Sequence, residues 1–230
     1  MTGLTAEDWQ AIGLTVKVAT VAILFSLPFA TGLAWLLAYR RFPGKILVEA
    51  LVSLPLVLPP VVTGYALLVL LGRHGLVGRF LDQQLGIVLA FRWTGAAVAA
   101  GVMGFPFMVR GIRLSFDGIE HDLERAAASL GAPGWLAFLT VTLPLALPGL
   151  LSGAVLAFGR ALGEFGATIT FVASIPGETR TISSTIYALL QTPDGDSAVL
   201  RLCLISAGLS FAALILSELL IRAGRRRMAG

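Results

Sequence analysis

Five stretches of the chain run for about 20 residues with little or no charge: residues 18–38, 50–72, 86–109, 136–159 and 202–221. That is the length a helix needs to cross the roughly 30 Å hydrocarbon core of a bilayer at about 1.5 Å per residue. Arg92 interrupts the third stretch and Glu218 lies near the end of the last. None of the five carries the polar stripe of a helix that packs on a soluble core. The pattern predicts an all-α, polytopic membrane protein with five transmembrane helices.

Two other stretches fit no simple span. Residues 164–175 open with Gly163-Glu164-Phe165-Gly166 and read as a helix end, a re-entrant piece or a continuation of the fourth span. Residues 181–190 place Ile182, Ile186, Leu189 and Leu190 on one helical face, and Pro193-Asp194-Gly195 makes a turn behind them. They predict a short amphipathic helix at the outer surface. Residues 54–64 and 143–153 also echo one another, each with two prolines in a Leu-Pro-Leu-x-Leu-Pro run. Proline is comfortable in a first helical turn, where its missing N–H removes no bond. The echo reads as two helix starts solved alike, with a true duplication as the alternative.

Composition strengthens the membrane reading. Of the 230 residues 57% are hydrophobic and 13% charged, against roughly 25% charged in an ordinary soluble domain. The net charge of +4 does not form a stripe interleaved with aromatics, so a nucleic-acid partner is not expected. The basic residues instead collect beside the apolar runs. Arg40, Arg41 and Lys45 follow the first span, Arg110, Arg113 and Arg125 the third, and Arg222, Arg225, Arg226 and Arg227 the last. With five spans these groups share one side, while the other side balances Arg73, Arg79, Arg180 and Arg201 against Asp82, Glu178, Asp194 and Asp196. The basic side is expected to be cytoplasmic. That puts residues 1–10 outside, a membrane domain over 11–220, and a basic cytoplasmic tail at 221–230. The beginning of the chain lacks the positive region of a signal peptide, so no cleavage is expected. Cys203 is the single cysteine and reads as a small apolar helix residue.

The longest connection on the basic side, residues 115–144, holds the most specific pattern. Asp117-Gly-Ile-Glu120 has capping-box spacing. Ile119, Leu123, Ala126, Ala127 and Leu130 then recur on one helical face, with Glu120, Asp122, Glu124 and Arg125 on the other. Gly131 can take the left-handed conformation that ends a helix, and Pro133 stops its continuation. On physical grounds alone this is either a solvated helix or a docking element whose small alanines admit a partner's backbone.

The sequence Glu124-Arg-Ala-Ala-Ala-Ser-Leu-Gly131, then nine residues, then Val141-Thr-Leu-Pro144 resembles the cytoplasmic loop of binding-protein-dependent ABC importers. The pattern of that family is Glu-Ala-Ala, three residues, Gly, nine residues, then Ile-x-Leu-Pro. Ala126, Ala127, Gly131, Leu143 and Pro144 are in register; Glu124 is one position early, Arg125 takes the usual Glu place and Val141 stands for Ile. The resemblance spans residues 11–220. It implies the type I importer permease fold and a coupling helix that docks on an ATPase subunit, with Glu124, Ala126, Ala127, Gly131, Leu143 and Pro144 as coupling residues. It further implies a pair of ABC ATPase subunits, an extracytoplasmic oxyanion-binding protein and a second copy of the chain as partners, with membrane lipid around them. The chain has no Gly-x-x-x-x-Gly-Lys-Ser/Thr loop of its own, so ATP hydrolysis is assigned to another subunit.

Phe42-Pro-Gly-Lys45, the 54–64 run, and residues 161–171, 175–181 and 190–193 are together similar to the bacterial molybdate ABC permeases. Gly163-Glu-Phe-Gly-Ala167 is shared with sulfate/thiosulfate permeases. The resemblance implies molybdate as cargo, with tungstate accepted and sulfate/thiosulfate as the alternative. An ion-coupled secondary transporter is a further alternative, without need of the 115–144 pattern. An intramembrane enzyme has little to build on: the two histidines, His74 and His121, form no His-Glu-x-x-His motif. No catalytic residue, metal site or cofactor is expected.

Arg160 lies 17 residues beyond Leu143, about 25 Å along a helix and therefore in the outer part of the membrane. Ionisable residues at such a depth face an interior and are functional candidates. Arg160 and Glu164 are four residues apart, on one helical face. With Gly163 and Gly166 they are the candidates for a translocation path or gate, the other reading being a structural ion pair. Glu218 and Arg222 read as a structural pair, and Arg92 as a snorkelling or interhelical residue.

Overall fold

The computed structural model describes residues 4–193 and 195–228, without the side chains of His121, Glu124, Ser217, Leu220, Ile221 and residues 223–228. Residues 1–3 of the expected outer segment, Asp194 of the expected turn and the last two residues of the basic tail lie outside the described part, as do the side chains of Arg225, Arg226 and Arg227.

Eleven α-helices follow one another among the described residues: α1 (Ala6–Tyr39), α2 (Lys45–Val57), α3 (Pro60–Leu71), α4 (Leu76–Leu85), α5 (Trp93–Asp117), α6 (His121–Ser129), α7 (Gly134–Ala137), α8 (Leu143–Leu162), α9 (Gly166–Val172), α10 (Ile182–Leu189) and α11 (Asp196–Met228). A π-helical turn, Phe138–Thr142, joins α7 to α8. It ends two residues before Pro144, whose ring and missing N–H interrupt the regular ladder. Four helical stretches are long and apolar enough to cross a membrane, and α2 with α3 makes a fifth if the pair counts as one span.

Each predicted span is present, with three differences. The first helix starts at Ala6, well before residue 18. Thr5 and Asp8 form a reciprocal cap: the Asp8 N–H donates to Thr5 Oγ1 at 3.2 Å, and the Thr5 N–H to Asp8 Oδ2 at 2.9 Å. Residues 6–10 are thus the first turns of α1. The second span is not one helix but two, bent by 115° at Leu58-Pro59. Leu58 sits at φ −70°, ψ 142°, because a residue before proline is driven out of the helical region. Pro60 then opens α3 where its lack of an N–H is harmless. The third span begins at Trp93, since Gly86 ends α4 in the left-handed region at φ +65° and residues 87–92 are not helical.

Two apolar clusters set the direction of the helices. Val18, Ala19 and Ala22 of α1 pack with Ala96, Ala99 and Ala100 of α5 and Leu162 of α8. Ala34 and Leu37 pack with Ile112, Phe116 and Ala146. Hence α1 and α5 run parallel, and α8 runs against them. Small residues let the backbones approach: a Cβ on Gly111 would lie 3.0 Å from the Gly153 Cα, and one on Gly104 3.2 Å from the Ala157 Cβ. Close backbone packing of this kind holds helices together where lipid offers no hydrophobic drive. At the first end, where α1 begins, Glu7 pairs with Arg180 at 3.6 Å and Asp8 with Arg201 at 3.5 Å. At the second end Arg113 meets Glu49 at 2.8 Å, and Arg110 donates to Ser53 at 3.0 Å. The bent pair starts beside Arg113 and reaches the first-end cluster through Leu67, so it carries the chain across once. The three basic groups accordingly share the second end. The expected helix over 181–190 forms as α10, but it does not merely lie on the surface: Ile182 is buried, and its N–H donates to Thr15 Oγ1 of α1 at 2.9 Å.

Candidate functional site

Two groups of candidate residues lie at opposite ends of α8. At the second end, the helix with the Ala-Ala face is α6, nine residues long. Its start differs from expectation. Asp117 is still the last residue of α5, held there by the buried Phe116, so the Asp117/Glu120 capping box does not form. Glu120 is the cap residue itself and makes no side-chain cap bond. The other end matches: Gly131 is left-handed at φ +84°, and Pro133 begins the next turn. Ala126 is exposed and Ala127 half-buried. Leu123 and Leu130 are exposed at 46% and 90%, with Trp135 and Leu139 also bare nearby in the chain. A helix that shows bare leucines and an exposed alanine is a surface in want of a partner. The neighbouring Arg125–Asp122 pair, at 3.4 Å, is fully in solvent and holds only the helix's own surface. Leu143 is half-buried and Pro144 exposed where α8 begins. The side chain of Glu124 lies outside the described residues.

At the first end, α8 stops at Leu162 and α9 starts at Gly166. Glu164 in the break is 3% exposed. Its Oε1 accepts the Ala167 N–H at 2.8 Å, and its Oε2 lies 2.5 Å from Arg160 Nη1. The carboxylate therefore caps a free helix N–H and neutralises a guanidinium at once, two charge-assisted contacts that compensate its burial. The Arg160 side chain keeps 29% of its surface exposed, which leaves guanidinium donors for another acceptor.

The sequence does not reveal what faces this break. A Cβ added to Gly166 would meet the Pro60 Cβ at 2.7 Å, and one added to Gly64 would meet the Ala167 backbone at 2.5 and 2.8 Å. The two interruptions of the chain, at 58–60 and 163–165, thus lock into a single glycine-lined seam between α3 and α9. Pro60 and Gly64 of the 54–64 run form the second half of that seam. Gly64, among the missed residues, carries one visible signal: a glycine one turn after a Pro-Pro helix start. Gly163 is exposed with nothing near its Cβ position, so no packing demand accounts for it. Arg160, Glu164 and Gly166 come together; the coupling candidates sit about 25 Å away along α8.

The profile of the family described as "binding-protein-dependent transport system inner membrane component" matches residues 20–226. The molybdenum transport system permease protein ModB of Escherichia coli (strain K12) is 56% identical over 224 residues, covering 97% of this chain and 98% of that protein. The sulfate transport system permease protein CysW of Synechococcus elongatus is 36% identical over 221 residues, 94% of this chain and 76% of that one. Among solved structures, a bacterial ABC transporter that imports alginate superposes with a TM-score of 0.75 at 20% identity, over 96% of this chain and 80% of that chain.

Proposed function

The chain belongs to the binding-protein-dependent transport system inner membrane component family, and on that premise we propose that it is the membrane-spanning permease subunit of an ATP-driven molybdate importer. The observation that carries the cargo is the contrast in identity: 56% to a molybdenum permease over nearly the full length of both chains, against 36% to a sulfate permease. Tungstate, close in size and charge, follows molybdate.

On this reading the labour is divided between the two ends of α8. A pair of ATPase subunits docks on α6, with Ala126 and Ala127 at the contact and Gly131 ending the helix. Leu143 and Pro144 root that loop in α8. Because α8 is unbroken from Leu143 to Leu162, a push on its second end reaches Arg160 and Glu164 as a rigid displacement. The seam of α3 and α9 is the part that responds. Arg160 offers spare N–H donors to a tetrahedral dianion, and Glu164 holds the guanidinium and the start of α9 in place. A path that must release its cargo binds it weakly, so discrimination belongs to an extracytoplasmic oxyanion-binding protein at the first end. The second end, with its basic groups, faces the cytoplasm, and two copies of the chain enclose the path. Support for this assembly comes from the family and from the exposed α6 face.

Sulfate is the second reading, favoured by Gly163-Glu-Phe-Gly-Ala167, which both branches share. A deletion strain separates them. It is expected to lose molybdenum-dependent enzyme activity at trace molybdate and to regain it at high external molybdate. A strain that instead requires a reduced sulfur source, with its molybdoenzymes intact, overturns the assignment.

A further inference from the structure

Between α1, α2 and α5 lies an apolar groove of about 700 Å³, lined by Val21, Phe25, Pro55, Ala97, Val98 and Val102 among others. Its origin is the bend in the second span. From its start α2 packs along α5, with Glu49 on Arg113 and Ser53 under Arg110. After Pro55 the chain reaches the bend at Leu58-Pro59 and turns away by 115°. The strip of α1 and α5 that a straight helix would cover, from mid-membrane toward the first end, is left open. Phe25 at 69% exposure and Val21 at 38% mark that strip.

The outer mouth of the groove is cationic. Lys17 sits one turn before Val21 and two before Phe25, on the same face of α1. Its Nζ lies 3.7 Å over the Trp93 ring. Arg92 precedes Trp93, and Thr94 lines the groove. Lys17 and Arg92 are both exposed, and the one carboxylate beside them among the described residues, Glu178, accepts the Trp93 N–H at 3.4 Å, so the rim keeps a net positive charge. A tryptophan and two exposed cations at the rim of a membrane helix stand at the level of lipid headgroups.

From these features we propose that the groove is a built site for one anionic phospholipid of the leaflet at the first end, its alkyl chain between α1 and α5 and its phosphodiester on Lys17 and Arg92. The capacity fits. An apolar cavity of roughly 150 Å³ takes a benzene, so the groove has the room of several such rings in a row, the shape of an alkyl chain. A helix from a second copy would bring apolar side chains to a rim whose exposed cations call for an anion.

The test uses the permease assembled with its ATPase in nanodiscs containing either phosphatidylglycerol or phosphatidylcholine with a photoreactive diazirine at mid-chain. Labelled positions are read by mass spectrometry, with the bare residues Leu204 and Phe211 of α11 as the reference for ordinary lipid contact. Phosphatidylglycerol is expected to label the Val21–Phe25 and Val98–Val102 faces about tenfold more than α11, and phosphatidylcholine no more than α11. Lys17→Gln with Arg92→Gln should cut the phosphatidylglycerol signal at the groove roughly tenfold, from a per-cation headgroup attraction of order tenfold or less, and leave α11 unchanged. Val98→Trp should empty the groove of either lipid, with α11 labelling again reporting an intact fold. Equal labelling of groove and α11 in the unaltered protein overturns the proposal, as does equal labelling by the two lipids. A photo-crosslink from position 98 to a second copy assigns the groove to that copy and overturns it too.

Discussion

Gly64→Ala is the sharpest perturbation of the seam that joins the two broken helices. The added methyl would lie 2.5 Å from the Ala167 carbonyl oxygen, 2.8 Å from its Cα and 2.9 Å from the Thr170 Cβ. Two of these three atoms are backbone, so no side-chain rotation relieves the clash. To reach ordinary contact, α3 and α9 must separate by about 1 Å, and overpacking of this kind costs about 1–3 kcal/mol. The intrinsic preference of a helix for alanine over glycine returns up to about 1 kcal/mol, which leaves a net loss of about 1–2 kcal/mol. For a chain of this size that is a fall in Tm of roughly 2–8 °C. Gly32→Ala is the matched control, because Gly32 lies inside α1 with nothing within 4 Å of its Cβ position; there the helix preference acts alone and Tm should hold or rise. The assay is thermal unfolding of the purified protein in one detergent, with uptake measured on the same variants. An unchanged Tm in Gly64→Ala, with Gly32→Ala behaving the same way, would refute the close α3–α9 packing and the seam with it.

Two further outcomes follow. In Glu164→Gln the side-chain oxygen still accepts from Ala167 N–H while the ion pair to Arg160 disappears, so the protein should insert normally yet lose about tenfold in uptake, roughly 1.4 kcal/mol of function; uptake at the normal rate would make the pair structural only. For orientation, on a Cys203→Ser background, a cysteine at Thr2 should react with an impermeant thiol reagent in spheroplasts and one at Gly230 should not. The reverse pattern would turn the protein over and move α6 away from the ATPase.

What the sequence makes legible is where apolar length is concentrated, because a window of about 20 uncharged residues has few other uses. Hydropathy carries no direction, however, so residues 50–72 read as one span although Pro59 and Pro60 turn the chain sharply inside it. Glu7 and Asp8 belong to the first turn of α1, where carboxylates favour the helix dipole, so the helix starts well before the uncharged run that marks the span. The end of α6 is readable because a left-handed position has a strong preference for glycine, and Gly131 occupies it. The capping box misleads because Asp117 has a better use: α5 runs one turn further to bury Phe116. Beyond the Pro-Pro start before Gly64, the seam leaves no mark in the sequence, since Gly64 and Gly166 are about a hundred residues apart and only their meeting joins them.

The central claim is that ATP hydrolysis elsewhere drives molybdate through this chain by way of α6, and uptake in proteoliposomes tests it directly. The permease is reconstituted with its ATPase and binding protein, and radiolabelled molybdate is followed with and without ATP. Gly131→Asn and Gly131→Lys are compared in parallel. The Cβ position at Gly131 meets nothing within 4 Å of the chain itself, and asparagine tolerates the left-handed conformation. Uptake is predicted to require ATP, to survive largely in Gly131→Asn, and to fall at least tenfold in Gly131→Lys with the protein still folded, because lysine disfavours the left-handed end of α6 at φ +84° and its longer side chain meets the docked ATPase. Uptake driven by an ion gradient without ATP, or a Gly131→Lys protein that transports normally, would contradict the account.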